Sequence, residues 1–483
     1  MNAGPLRLRG KTVILMNLLK NHAHGRVDMT QGPILRNLML FSVPMMFSGV
    51  LQLFFSAADI SVAGRYLGDG EMAAIGAAST LITLLVNLFV GLSVGVSVSL
   101  GRAYGSGEHR AARHVVHTAM VLAVVWGAAV SALGFFGART LLELMDVPQH
   151  LLPLASTYLR IYACGMIGSA LFNFGSAVLR ATGETRQPLY CLAASCGLNF
   201  VLNQVFVRLF GMELEGVAWA TAVSLLVMGF LTVVFMLRNS GPAQFSFRHL
   251  RVHGKTLGTI LGLGIPAGLQ GIFFPLSNIV LQTYINAFGE TVIAANSAAC
   301  NIESFVYQAL NGFYHACMAF VSCNLGAGNW NRVRKVFLRS LAAVTVTGLV
   351  LGLGMVALGH PLLGIYTNSP AVVEQALLRF LFTGIPYFLC GMMEVVVGAL
   401  RGLGSSVLPM LLSVLGVCGV RIAWVLTVFQ YEQFHTVECI YVSYPLSWAV
   451  TLLAQGTWLL LLTKKLRKQK GVPLYILKSP KEG

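Results

Sequence analysis

The sequence predicts an all-α integral membrane protein, with twelve transmembrane helices in two six-helix lobes related by internal duplication. Three observations carry this prediction. Of 483 residues, 56% are hydrophobic and only 10% charged, against about 25% charged in an ordinary soluble domain. Apolar runs of about 20 residues, each long enough to cross the hydrocarbon core, recur along the whole chain. The third observation is a repeat: LRATGETRQPL at 179–189 returns as LRGLGSSVLPM at 400–410, an offset of 221 residues.

Taken in order, hydropathy and punctuation place the spans at 35–64, 72–100, 111–137, 152–178, 188–210, 215–237, 256–286, 291–322, 335–359, 374–400, 407–429 and 437–463. The loops at 101–113, 238–255 and 332–339 and the tail from Lys464 are basic. The alternate loops are short or acidic, with Asp69 and Glu71, Glu143 and Asp146, Glu213 and Glu215, and Glu432 and Glu438. This bias puts both termini in the cytoplasm and the chain in the cell inner (plasma) membrane as a multi-pass protein. The net charge of +16 does not point to nucleic acid, because the basic residues are divided among short loops and form no continuous face. The division that follows is a cytoplasmic segment 1–34, a first lobe 35–237, a basic linker 238–255, a second lobe 256–463 and a basic tail 464–483.

The repeat holds its register over a long stretch. At the same offset Gly105 and Gly107 meet Gly326 and Gly328, Arg113 meets Arg334, and Asn173 meets Glu394; Pro44 meets Pro266 one residue further on. Six spans per unit keep both halves in the same orientation. Parallel repeats of this kind are a transporter architecture, with the substrate site at the repeat interface. The 51 glycines fit close helix packing in lipid.

The nine cysteines are scattered, with no CxxC pair and no metal-ligand spacing, and read as soft core residues. No signal peptide with a small-residue cleavage site is visible. Residues 1–28 are basic and weakly patterned, and Met29 opens a more ordinary start; the segment is either a cytoplasmic tail or a misassigned beginning.

The first span carries Asp59 near its far end. A charge in hydrocarbon costs about 2.5–3.5 kcal/mol on insertion scales, so it usually has a use. Glu303 and Glu394 are the other acids set well inside predicted spans rather than at their ends. The competing reading of Asp59 is a solvated aspartate at the outer end of its helix.

With these features in place, the sequence resembles the multidrug and toxic compound extrusion (MATE) family of cation-coupled efflux transporters. The resemblance rests on ADISVAGRYLG at 58–68, the SGEHRAARH loop, LRATGETRQP, EGVAWATAVS at 215–224, NLGAGNWNRVRK from Asn324 and LRGLGSSVLP. It implies two lobes around a central cavity, with inward H⁺ or Na⁺ exchanged for outward drug. By the same resemblance Asp59 matches the first-helix aspartate of the amino-terminal cation site, and Pro44 the first-helix proline whose bending follows protonation. Asn173 is similar to the fourth-helix asparagine of that lobe's polar network, Asn199 and Asn203 to the fifth-helix pair, and Thr221 to the sixth-helix threonine. One departure matters. The second member of the fifth-helix pair is often an aspartate and here is Asn203, so this lobe has a single carboxylate.

Asp59 is suited either to load and release a proton as the site opens to each side, or to ring a Na⁺ with Asn199, Asn203 and Thr221. In the second half, Glu394 stands seven residues before Arg401, two helical turns, and Arg421 is expected to pair with Glu394 or Glu303. The alternative is a purely structural buried pair. Phe54, Phe55, Phe273, Phe274, Tyr307, Met392 and Met393 are candidate cavity lining for flat cations. His109, His114 and His117 read as surface residues on a basic loop.

The function expected is a secondary active antiporter exporting cationic or amphipathic solutes by alternating access. Its partners are those solutes and the lipid bilayer, with H⁺ or Na⁺ as coupling ion, no cofactor, no metal beyond a Na⁺ at Asp59, and a monomeric state. The alternative is a lipid-linked oligosaccharide flippase, set second because the buried charges read as predominantly acidic. No phosphate loop of the form GxxxxGK[ST] and no reactive side-chain set appears, so the reading is not that of an enzyme.

Overall fold

The computed structural model describes residues 26–239, 241 and 244–468; the basic segment up to residue 25 and the tail beyond 468 lie outside them. All regular structure among the described residues is helical, as it must be where no water reaches the backbone to satisfy N–H and C=O groups. The principal helices are α1 (Ile34–Tyr66), α2 (Asp69–Gly105), α3 (His109–Glu143), α4 (Leu152–Ala181), α5 (Arg186–Leu209), α6 (Leu214–Arg238), α7 (Gly254–Asn286), α8 (Glu290–Gly326), α9 (Trp330–Ala357), α10 (Pro370–Gly384), α11 (Tyr387–Gly402), α12 (Val407–Gln430) and α13 (Val437–Lys468).

Among the described residues ten helices are long and apolar enough to cross a membrane, or eleven when α10 and α11 count as one span bent by 44°. The bend has two identifiable causes: the last turn of α10, Phe380–Gly384, is a π turn, and Pro386 cannot donate to the ladder. The predicted span 291–322 forms a helix of 37 residues, α8, that stays outside this set. Its length suffices. Its Asn296, Glu303, Gln308, Asn311, His315 and Asn324 side chains lower its hydropathy, and they do so because α8 faces the interior.

Two large apolar cores form. One gathers residues from Val62 to Ile260, the other residues from Ala295 to Leu466 together with Met29, Ile34, Leu38, Phe41 and Met45. The first turns of α1 therefore pack with the second half of the chain, although 35–237 was the expected first lobe. Between the cores, α2 runs along α4 on one side and α7 and α8 on the other, while α1 lies on α5 and α8.

Glycine makes these crossings close. A Cβ on Gly105 would stand 1.9 Å from the Cys323 carbonyl oxygen, and one on Gly326 would stand 2.1 Å from the Arg102 carbonyl oxygen. The two contacts are each other's image at the repeat offset. The turns repeat too: Gly68 and Gly289, Gly107 and Gly328, and Gly183 and Gly404 all have positive φ and are all 221 residues apart.

At the end where the described chain begins, residues 26–33 form a strap. The Val27 N–H donates to Gly183 O at 2.9 Å, and Asn324 Nδ2 donates to Met29 O at 2.9 Å. Arg332 donates to Gln31 O at 2.6 Å and Gly32 O at 3.0 Å. The strap thus joins the α4–α5 turn to α8 and α9.

Candidate functional site

Three helices, α4, α5 and α6, bring their polar side chains to Asp59 of α1. The carboxylate is 4% exposed, so it is no solvated helix end. Thr221 Oγ1 of α6 donates to Oδ2 at 2.6 Å and Tyr158 Oη of α4 donates to the same oxygen at 3.0 Å. Asn203 Nδ2 and Asn199 Nδ2 of α5 donate to Oδ1 at 3.1 and 3.3 Å. The i, i+4 spacing of the asparagines places both on the face of α5 that meets α1. Asn199 also donates to Thr221 Oγ1, and Asn203 to Asn199 Oδ1, while Asn203 Oδ1 is buried with no partner. A charge in a low-dielectric interior is tolerated when it is hydrogen-bonded this fully.

Asn173 is not part of this cluster. Its Nδ2 donates to Ser169 O one turn back, and its side chain faces a separate cavity. Tyr158 was missed, and its signal is faint: a tyrosine one turn before Tyr162 in a span otherwise read as greasy. Pro44 and Pro266 both lie inside continuous helices, α1 and α7, and Ser48 Oγ donates to Pro44 O at 2.9 Å.

The second half corrects the expected ion pair. Glu303 is held by Arg379, which the sequence did not single out; Nε and Nη2 donate to the two carboxylate oxygens at 3.0 and 2.8 Å. Thr383 Oγ1 donates to Oε1 at 2.5 Å, and Arg379 also donates to Asn296 Oδ1. Arg421 pairs with neither acid. It donates to Ser447 Oγ at 2.9 Å and Asn278 Oδ1 at 3.3 Å, and lies 4.2 Å from the Tyr444 ring centroid. Buried charges are consequently mixed rather than predominantly acidic: Asp59, Glu184, Glu303 and Glu394 against Arg379, Arg401 and Arg421.

Between the cores lies a cavity of about 450 Å³, lined from α1, α2, α4, α5, α6, α7, α8 and α11. Its wall is rich in carboxamides: Gln52, Asn87, Asn173, Gln270, Gln308 and Asn311. Phe55, Phe274 and Tyr307 line it as expected, whereas Phe54 and Phe273 point outward and Met392 and Met393 pack into the second core. Glu394 and Arg401 both face this cavity. His117 is another correction: it is buried, with Nδ1 2.7 Å from Arg113 O and Nε2 3.1 Å from Ser246 O. Among the described residues no three His, Cys, Asp or Glu side chains gather as for a metal ion.

A bilayer-spanning helical bundle that keeps a hydrogen-bonding cavity of this size at its centre belongs among the solute carriers. The family model MatE matches residues 44–205 and again 266–426, and the chain belongs to that family of transporters. A probable multidrug resistance protein of Bacillus subtilis, YoeA, is 26% identical over 425 residues, 86% of this chain and 92% of that protein. An FAD transporter of Shewanella oneidensis is 27% identical over 72% of this chain and 78% of its own length. Among solved structures, an outward-facing MATE family multidrug transporter superposes with a TM-score of 0.85 at 18% identity, covering 92% of this chain and 98% of that one.

Proposed function

We propose that this protein is a secondary active antiporter of the inner membrane, exporting small cationic or amphipathic solutes in exchange for a coupling ion bound at Asp59. The observation that carries the reading is the sealed Asp59 cluster beside a solute-sized cavity. The relatives' names, multidrug resistance and FAD transport, agree in moving small organic solutes outward or across a membrane and do not agree on one substrate.

Of H⁺ and Na⁺, the geometry favours H⁺. A proton on Asp59 requires only that the Thr221 or Tyr158 hydroxyl rotate from donor to acceptor. A Na⁺ requires the Asn199 and Asn203 amides, whose nitrogens face the carboxylate, to turn over and present oxygen, with one carboxylate in place of two. Loading Asp59 would lower the solute affinity of the outward-open state, and rocking of two six-helix lobes would return the site inward. The twofold family match and the paired glycines support that duplication. One charge moving through 100 mV supplies about 2.3 kcal/mol, enough to drive exchange.

The test is dye efflux from vesicles under an imposed pH gradient and then a Na⁺ gradient, for wild type and Asp59→Asn. Export by wild type under one gradient and its loss in the variant is expected. Undiminished export by the variant moves the coupling site away from Asp59.

A further inference from the structure

The end of the cavity nearest the strap holds a positive charge that no carboxylate among the described residues contacts directly. Arg401, 5% exposed, donates to two neutral groups, Tyr314 Oη at 2.5 Å and Gln270 Oε1 at 2.9 Å. Among the described residues no carboxylate comes within 4.0 Å of it, and Glu394 acts on it only from longer range. Arg180 is its repeat mate, 221 residues earlier, at the corresponding end of α4. Both guanidiniums are close enough to Tyr314 and His315 to act on them electrostatically. Three buried nitrogens there have no partner: Arg180 Nε, Arg401 Nε and His315 Nδ1.

Two helical turns along the same face of α11, about 10 Å from Arg401 by the helical rise, stands Glu394, also buried in the cavity wall and reached by no hydrogen-bond donor among the described residues. The carboxamides and tyrosine hydroxyls between these poles present both donors and acceptors. An isolated buried charge is costly, and a ligand that supplies the missing opposite charge recovers that cost on binding.

We propose that Arg401, backed by Arg180, forms an anion subsite in the transport cavity, so that the solute this protein carries is amphoteric. Its acidic group is received by the Arg401 guanidinium and its basic nitrogen by Glu394, with a flat hydrogen-bonding body lying along the amides between. The proposal rests on the antiport reading above and narrows it. A solute with only a basic nitrogen leaves Arg401 unanswered, and a solute with only an acid leaves Glu394 unanswered.

The experiment compares binding of two dyes to the purified full-length protein by fluorescence polarisation: a rhodamine with a free carboxylate, and the methyl ester of the same dye. Wild type is expected to bind the free acid tighter by roughly tenfold or more, the effect of one charge-assisted hydrogen bond. Arg401→Gln is expected to abolish that preference, Arg180→Gln to reduce it, and Glu394→Gln to weaken both dyes. Arg401→Lys, which keeps the charge, retains part of the preference and guards against a variant that fails to fold. Equal binding, tighter binding of the ester, or no binding of the acid by wild type overturns the proposal. Gradient-driven export of the ester under those circumstances leaves the antiporter standing and removes only the anion subsite.

Discussion

Arg379 and Glu303 meet fork to fork between α10 and α8, with two hydrogen bonds of 3.0 and 2.8 Å and side chains 2% and 9% accessible. The pair sits one turn before the break between α10 and α11, and Thr383 in the π turn of that break donates to the same carboxylate. Glu303→Gln leaves a buried guanidinium without its counter-charge and should cost about 3–5 kcal/mol. Replacing both residues with apolar ones of similar volume should cost less than either single change. Thermal unfolding in detergent checks this, and a single variant as stable as wild type refutes it.

Thr221 makes the shortest hydrogen bond to Asp59. Thr221→Val keeps the shape and removes that donor, and should lower gradient-driven export by about tenfold or more, as loss of a bond worth roughly 1.5–3 kcal/mol requires. Thr221→Ser should restore most of the rate. Initial rates in vesicles decide; unchanged export in the valine variant would show that this hydroxyl is not needed.

Asn203 leaves the first half with one carboxylate in the cluster. Asn203→Asp adds a second beside the first, an oxygen set better suited to a hard cation. Export driven by a Na⁺ gradient should rise relative to export driven by a pH gradient. A ratio equal to that of wild type argues that this position does not choose the ion.

Gly105 and Gly326 let α2 and α8 approach backbone to backbone. Alanine at either meets a carbonyl oxygen that cannot move aside, and folded yield and export should both fall steeply. Gly258→Ala on α7, where nothing lies within 4 Å, is the control and should be neutral or stabilising by up to about 1 kcal/mol. Size-exclusion profiles separate the two cases, and a monodisperse Gly326→Ala protein at wild-type yield would contradict the packing argument.

Arg332 fastens the strap by hydrogen bonds to three of its carbonyls, those of Met29, Gln31 and Gly32. Arg332→Ala should speed amide hydrogen exchange in residues 27–33 while leaving the middle of α4 protected. Equal exchange in both proteins would mean the strap is held by its other contacts.

Much of this was legible because lipid simplifies the code. A helix that must satisfy its own backbone shows as a long apolar run, and the spans predicted from hydropathy fall on helices, with 374–400 divided between α10 and α11. Asn199, Asn203 and Thr221 came together at Asp59 because the family likeness carried their positions and an i, i+4 spacing fixes a shared face. Asn173 went elsewhere because the face of α4 that it occupies depends on helix rotation, which sequence does not report. Arg379 escaped notice because it falls near a predicted span edge, where an arginine looks like a loop residue. In the fold it stands just before the π turn that ends α10 and pairs with Glu303 of α8. His117 was read as exposed because its loop is basic, yet the following linker folds over it.

One helix belongs to both cores. The opening turns of α1 are embedded with residues of the second half, and its far end, around Val62 and Ala63, with those of the first. A beam clamped into two bodies cannot follow both when they turn, so relative rotation is converted into curvature of the beam. That curvature collects where the beam is weakest. At Pro44 the ladder lacks a donor for the carbonyl one turn earlier, and Gly49 follows within five residues. If the cores turn against each other as in the proposed exchange, resistance to that turning resides as elastic stiffness within a single helix, and a change at Pro44 is expected to alter how readily they turn without touching any residue proposed to hold ion or solute.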